Sequence, residues 1–361
     1  MWADDYEDDV VDLLALQATV ARAIAGEIDI ALSPVEERRL ENAPSIDPAA
    51  YRAYVLGLDR LYRITPEDFR RSVPLFEEAI ARDPTFAPAH AALAVGLATA
   101  FEYAWISAEE IGSQAERAAS EAMRLDPEAS ESYHARGSVA YHLTRDFAAA
   151  ERAFEQAAVR NPSAYALQDY AWMLANLGRP DEAIPIVSRA AALDPRSPLM
   201  RTDIGWWKFG ADDHDGAIAE GRRALDIDPS YAEAYWMLST AYAHLGREDD
   251  ALAAFDRYEE LYGEPLPYFR GYLLAVLGRR DEARALASEV EARIARGEST
   301  WSELGLLYVA LGDRERALDA IEHMDRARIS FMPYHMPEWK TLYAEPRFLA
   351  VVERLGFPPP P

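Results

Sequence analysis

The chain has 361 residues, half of them hydrophobic, no cysteine, and 62 acidic against 37 basic side chains, for a formal net charge of -25. Without thiols there are no disulfides, no thiolate nucleophile and none of the common zinc ligand sets. So acidic a chain repels phosphate backbones and anionic lipid, which excludes nucleic acid and membrane surfaces as expected partners.

Residues 1–9 are acidic where a secretory signal needs a basic start. No stretch offers the roughly 18 to 20 apolar residues of a membrane span, so the cytoplasm is the expected location. From 10 to 30, Leu13, Leu16, Val20, Ile24 and Ile28 recur at helical spacing and predict one amphipathic helix. Its apolar stripe must meet something, and a homodimer through this helix is one way to cover it. Ser33, Pro34 and Glu36 then open a second helix with a capping box. Residues 1–45 are therefore read as an N-terminal helix and linker helix, 46–327 as a repeat array, and 328–361 as a capping segment with a proline tail.

The array is legible from two interleaved series. The phrase Leu177-Gly178-Arg179-Pro180-Asp181-Glu182-Ala183 returns in altered form from Leu245, Leu277 and Leu311. An acidic or amide residue precedes proline at Asp126, Asn161, Asp194 and Asp228. Both keep a period near 34 residues. Glycine provides the left-handed residue after a first helix, and proline ends the second because it cannot donate to the helical ladder. Capping-box spacing at Ser230 and Glu233 and at Thr300 and Glu303, with Ser197 before Pro198, marks helix starts. Ala183, Ala217, Ala251 and Ala317 form a row of small residues where two helix axes approach. The outer units are irregular, with longer turns near Ile64 to Pro66 and between 104 and 111, where Ser107 and Glu110 are read as a helix cap.

Trp301, Leu304, Gly305, Tyr308 and Ala317 reproduce W-x2-L-G-x2-Y followed by A, so this unit resembles the tetratricopeptide repeat. Partial versions run through Tyr235, Leu238, Tyr242, Ala251 and Phe255, and through Tyr141, Ala150, Phe154 and Ala157. The resemblance implies an all-α solenoid superhelix of about eight helical hairpins, from near Tyr51 to near Asp325. Residues 44–57 and 345–358 resemble the flanks of such arrays in bacterial signalling proteins. There the array follows a class III nucleotide cyclase, a winged-helix domain or a Ser/Thr kinase, often with a TolB-like segment between. Residues 1–4 resemble an internal point of that architecture, which implies an effector domain upstream.

In tetratricopeptide proteins the first helix of each hairpin lines the concave side. One such row here is Trp172, Trp206, Thr240, Tyr272 and Leu306, and the row one turn earlier is Gln168, Thr202, Trp236, Tyr268 and Ser302. Their large rings suit an extended or helical peptide, so a protein or peptide is the expected partner. Neither row holds a lysine or arginine, so the two-cation clamp for acidic chaperone tails is not expected. The alternative is that these rings wedge between hairpins or lie under the N-terminal helix.

No catalytic residues, metal or cofactor are expected. Asp212-Asp213-His214-Asp215 sits where sibling repeats carry their Gly-Arg turn, so it is read as a solvated turn. His134 and His142 are two helical turns apart, too far to grip one metal, and His90 and His244 are isolated in the sequence. Phosphate loops, nucleophile elbows and dinucleotide fingerprints are missing from the sequence. The leading expectation is a non-catalytic binding scaffold. The alternative is a regulatory arm of a signalling enzyme or transcription regulator, and a weaker one is a sensor whose groove closes on a small molecule.

Overall fold

A computed structural model describes residues 46–63, 65–102, 106, 111, 113–263, 265–297, 301–326 and 336–360. The expected helices within 1–45, the caps at Ser107 and Glu110 and the Thr300 cap lie outside the described residues.

Eight helical hairpins follow one another among the described residues. The first helices of the hairpins are α1 (Pro48–Leu61), α3 (Ala87–Glu102), α5 (Ser130–Ser138), α7 (Ala164–Asn176), α9 (Pro198–Gly210), α11 (Ala232–His244), α13 (Pro267–Val276) and α15 (Ser302–Leu311). The second helices are α2 (Pro66–Arg82), α4 (Gln114–Leu125), α6 (Phe147–Ala158), α8 (Pro180–Leu193), α10 (His214–Ile227), α12 (Glu248–Tyr262), α14 (Arg280–Ala295) and α16 (Arg314–Arg326). A 3-10 turn (Pro337–Leu342) and α17 (Pro346–Arg354) close the chain. Each helix packs on its hairpin partner, and successive first helices touch along the whole array. This is the expected all-α solenoid.

Its punctuation follows from backbone sterics. Gly178, Gly246, Gly278 and Gly312 all take positive φ just past a first helix. In the third and fifth hairpins, which lack a glycine there, Arg145 (φ 54°) and Asp212 (φ 63°) take the left-handed conformation instead. Asp212 is exposed and Asp213 caps α10 by accepting from the Gly216 N–H at 2.9 Å, so this acidic run is a turn. Among the described residues no group of three potential ligands is arranged to hold a metal.

Ser197 caps α9 as expected. Ser230 does not cap α11: its N–H and hydroxyl both donate to Asp228 Oδ1, at 2.8 and 2.6 Å. The Asp-Pro pairs explain this, because the aspartate folds back to accept from the N–H two residues on, also at Asp83, Asp126 and Asp194. That Asx turn ends each helix together with the proline.

The alanine row is sealed: Ala183, Ala217, Ala251 and Ala317 have no exposed surface. Glycine serves the same close approach in α5, where a Cβ on Gly137 would stand 2.7 Å from the Phe154 ring. Past Ser138, α5 runs on into a π turn (Val139–Thr144), and the hydroxyl of Tyr141 there accepts from Asn176 Nδ2 at 3.0 Å.

The C-terminal segment runs back along the array. Trp339 is buried against Gly305, Glu338 reaches α11 and α13, and Phe357 meets Phe147 of the third hairpin at 5.1 Å. Arg347 fastens α17 to α16 through Glu315, Asp319 and Glu322.

Candidate functional site

First helices from four hairpins face one another at the N-terminal end. The rings of Tyr62, just past α1, and Tyr165, in the first turn of α7, stack in parallel with centroids 3.3 Å apart. Hairpins one and four therefore meet across the inner face, which requires the array to curl around that side. A pocket of 220 Å³ lies beside this bar, lined by residues of α1, α3, α5 and α7.

Polar side chains continue along the same inner helices. His134 Nε2 lies 2.7 Å from Asp169 Oδ2, with the Ser138 hydroxyl donating to the same oxygen at 3.5 Å. Gln168 Nε2 donates to Asp203 Oδ2 at 2.7 Å. Asp203 is buried, and its carboxyl is pushed up to about 7, first by desolvation and then by the charges of Asp169 and Glu233, against the lowering effect of the Gln168 bond. Glu233 still reaches solvent, while the surrounding protein pushes its carboxyl upward as well.

The eight predicted contact residues divide by exposure. Trp172 and Tyr268 are half-buried. Gln168, Thr202, Trp206, Trp236, Thr240 and Tyr272 are buried, with Thr240 and Tyr272 wholly enclosed. The hydroxyls of Thr202 and Thr240 donate back to the helix carbonyls of Pro198 and Trp236, at 3.0 Å each. Trp236 is the hub of a cluster, with centroids 4.2 Å from Phe269, 5.9 Å from Tyr272 and 6.0 Å from Trp206 and Phe255. These rings wedge between successive hairpins.

Tyr272 has a further partner. Its hydroxyl donates to Glu338 Oε1 at 2.7 Å, and His244 Nε2 lies 2.9 Å from that oxygen. His244, isolated in the sequence, thus helps to fasten the C-terminal segment. Desolvation by burial raises the Tyr272 hydroxyl pKa well above its ordinary value, with the Glu338 charge adding to it.

Models of the tetratricopeptide repeat match residues 143–198 and 208–271. Over those two stretches, about a third of its length, the chain carries tetratricopeptide repeats. Among solved structures, human IFIT1, in a structure titled as its dimer with PPP-AAAA, is similar in fold, with TM-score 0.50 at 18% identity over 79% of this chain and 73% of that one. PilW, described as a type IV pilus biogenesis factor, gives TM-score 0.47 at 22% identity over 57% of this chain and 94% of that one. A Rhizobium meliloti protein named as a candidate adenylate cyclase, adenylate cyclase 3, is 28% identical over 105 residues, covering 29% of this repeat protein. Superkiller protein 3 of Schizosaccharomyces pombe is 29% identical over 161 residues, covering 39% of it. The matches span only 18% and 11% of those two relatives. No helix among the described residues is long and apolar enough to cross a membrane.

The sequence reading did not single out Tyr62, Tyr165, Asp169, Asp203 or Glu338. A signal existed for the polar pairs. His134 and Asp169, Gln168 and Asp203, and Tyr141 and Asn176 are each 35 residues apart, one repeat plus one residue.

Proposed function

We propose that this chain is a non-catalytic scaffold that holds a protein or peptide segment along the inner face of its superhelix. The observation that carries this is the open pocket at the N-terminal end of that face, built by the first helices of four hairpins. Trp172 and Tyr268, half-buried on first helices, supply rigid aromatic contact area beyond it. Trp206, Trp236, Thr240, Tyr272, Gln168 and Thr202 serve the reading by fixing the wall on which those rings stand.

A random-peptide display selection against the full chain tests it. Selected peptides should bind roughly tenfold more weakly to Trp172→Ala or Tyr268→Ala, the scale of a binding hot spot. Glu289→Gln, an exposed position on α14, should leave affinity unchanged. No selected peptide, or peptides indifferent to the inner-face changes, would remove the reading.

A second reading is favoured by the similarity to the Rhizobium meliloti protein: the array is the regulatory arm of a larger signalling protein. It predicts a coding region for an effector domain in frame before Met1, and sequencing that stretch decides it.

A further inference from the structure

The lining of the N-terminal pocket is chemically lopsided. Tyr54, Tyr62 and Tyr165 supply aromatic surface, Leu58 and Val95 supply aliphatic surface, and Glu131 supplies a carboxylate. No lysine or arginine lines it. Among the described residues, no ion pair or hydrogen bond holds Glu131, although it is half-buried.

Glu131 lines the same pocket as the aromatic bar. The Tyr62 hydroxyl is held well above its ordinary pKa by burial first, then by the neighbouring tyrosines Tyr54 and Tyr165 and the charges of Asp169 and Glu131. Tyr54 is shifted upward by burial and then by Glu131. The pocket thus offers the Glu131 carboxylate beside ring faces that attract cations, while its histidine, His134, is turned to Asp169. Asp169 already has His134 at 2.7 Å, whereas Glu131 has no such neighbour.

We infer that this pocket receives one basic side chain, lysine or arginine, of a peptide lying along the inner face, with the methylene stem against the aliphatic wall and the charged head between the tyrosine rings and Glu131. A basic side chain combines these two requirements, since its stem packs on apolar surface while its head seeks a carboxylate. The volume of 220 Å³ suits one side chain better than a folded element. The inference rests on the proposed peptide-binding function and adds the chemistry of the residue recognised.

Fluorescein-labelled decapeptides of glycine and serine carrying one central arginine, lysine, citrulline or glutamate test it, titrated into the full chain at about 150 mM salt to screen diffuse attraction to the acidic surface. The arginine or lysine peptide should bind at least tenfold tighter than the citrulline peptide, which keeps the shape of arginine without its charge. Glu131→Gln should reduce that preference to under threefold, while Glu289→Gln keeps it. Tyr165→Ala should weaken the cationic peptides likewise, with far-UV circular dichroism checking that it folds. Equal binding of arginine and citrulline peptides, binding of neither, or a preference that survives Glu131→Gln would overturn the assignment. Those failures would leave the proposed function to the display selection, whose Trp172 and Tyr268 variants lie outside the pocket.

Discussion

Gln168 donates its amide N–H to Asp203 Oδ2 at 2.7 Å, across the seam between the fourth and fifth hairpins. The pair sits on two inner helices and is shut away from solvent on both sides. A carboxylate there has lost most of its hydration and keeps one neutral donor, so the protonated form gains.

The pH dependence of stability follows from that pair. The Asp203 carboxyl titrates near 7 in the folded chain and near about 4 when unfolded. Between those values the folded state holds a proton that the unfolded state lacks, so this residue's contribution to stability drains away as pH rises through the window. Asp203→Asn can still accept from Gln168 and carries no charge to bury. It should be more stable than the parent at pH 8, on the order of 2 kcal/mol, with the advantage gone at pH 4. Urea melts at the two pH values measure it, and an advantage independent of pH would show that the burial of charge is not the cause.

Glu338 is the fastening point of the C-terminal segment, shared by the Tyr272 hydroxyl and His244. Glu338→Ala removes the carboxylate acceptor of the enclosed Tyr272 hydroxyl and leaves it only His244 Nε2 at 3.2 Å, at a cost of about 1–3 kcal/mol. Loss of protection should concentrate locally, so hydrogen exchange at 337–342 should accelerate more than in α7 or α9. Uniform acceleration along the array would argue against a local latch.

Two glycines separate packing from backbone strain. Gly137→Ala pushes a methyl into the Phe154 ring at 2.7 Å and should cost about 1–3 kcal/mol through overpacking. Gly246→Ala meets nothing within 4 Å, so its cost, about 1–2 kcal/mol, comes from positive φ alone. Gly246→Asn should recover part of the loss, since asparagine tolerates the left-handed region, whereas Gly137→Asn should be worse than alanine. Thermal melts of the four variants check the contrast.

The buried aromatics make a different prediction from the half-buried ones. Trp236→Ala empties the centre of a six-ring cluster and should destabilise by about 3–5 kcal/mol. Trp172→Ala, half-buried, should cost well under half of that. Removing Trp206 and Trp236, both buried, therefore cannot test binding separately from folding. Denaturation midpoints of the two single variants, read beside their peptide affinities, distinguish the roles.

Much of the architecture was legible because it is written in local chemistry. Gly178, Gly246, Gly278 and Gly312 mark left-handed turns whatever surrounds them. The alanine row at Ala183, Ala217, Ala251 and Ala317 declares the close helix contact. The Ser230 cap was misread because two local acceptors competed and Asp228 reaches the Ser230 N–H first. The inner-face rows were drawn from helical register, which names the helix but not the depth at which a ring comes to rest. Trp206 and Trp236 pack on each other at 6.0 Å, and no spacing of residues distinguishes that from two rings side by side on an open wall.

By itself the sequence determined the hairpin, its period, its turns and its small-residue seam, since each depends on backbone sterics and contacts within one or two repeats. The tertiary structure alone decided that Tyr62 stacks on Tyr165, that Glu338 returns to His244, and which aromatic rings stay open. Those outcomes depend on small rotations between neighbouring hairpins, which accumulate along the superhelix and bring distant units together.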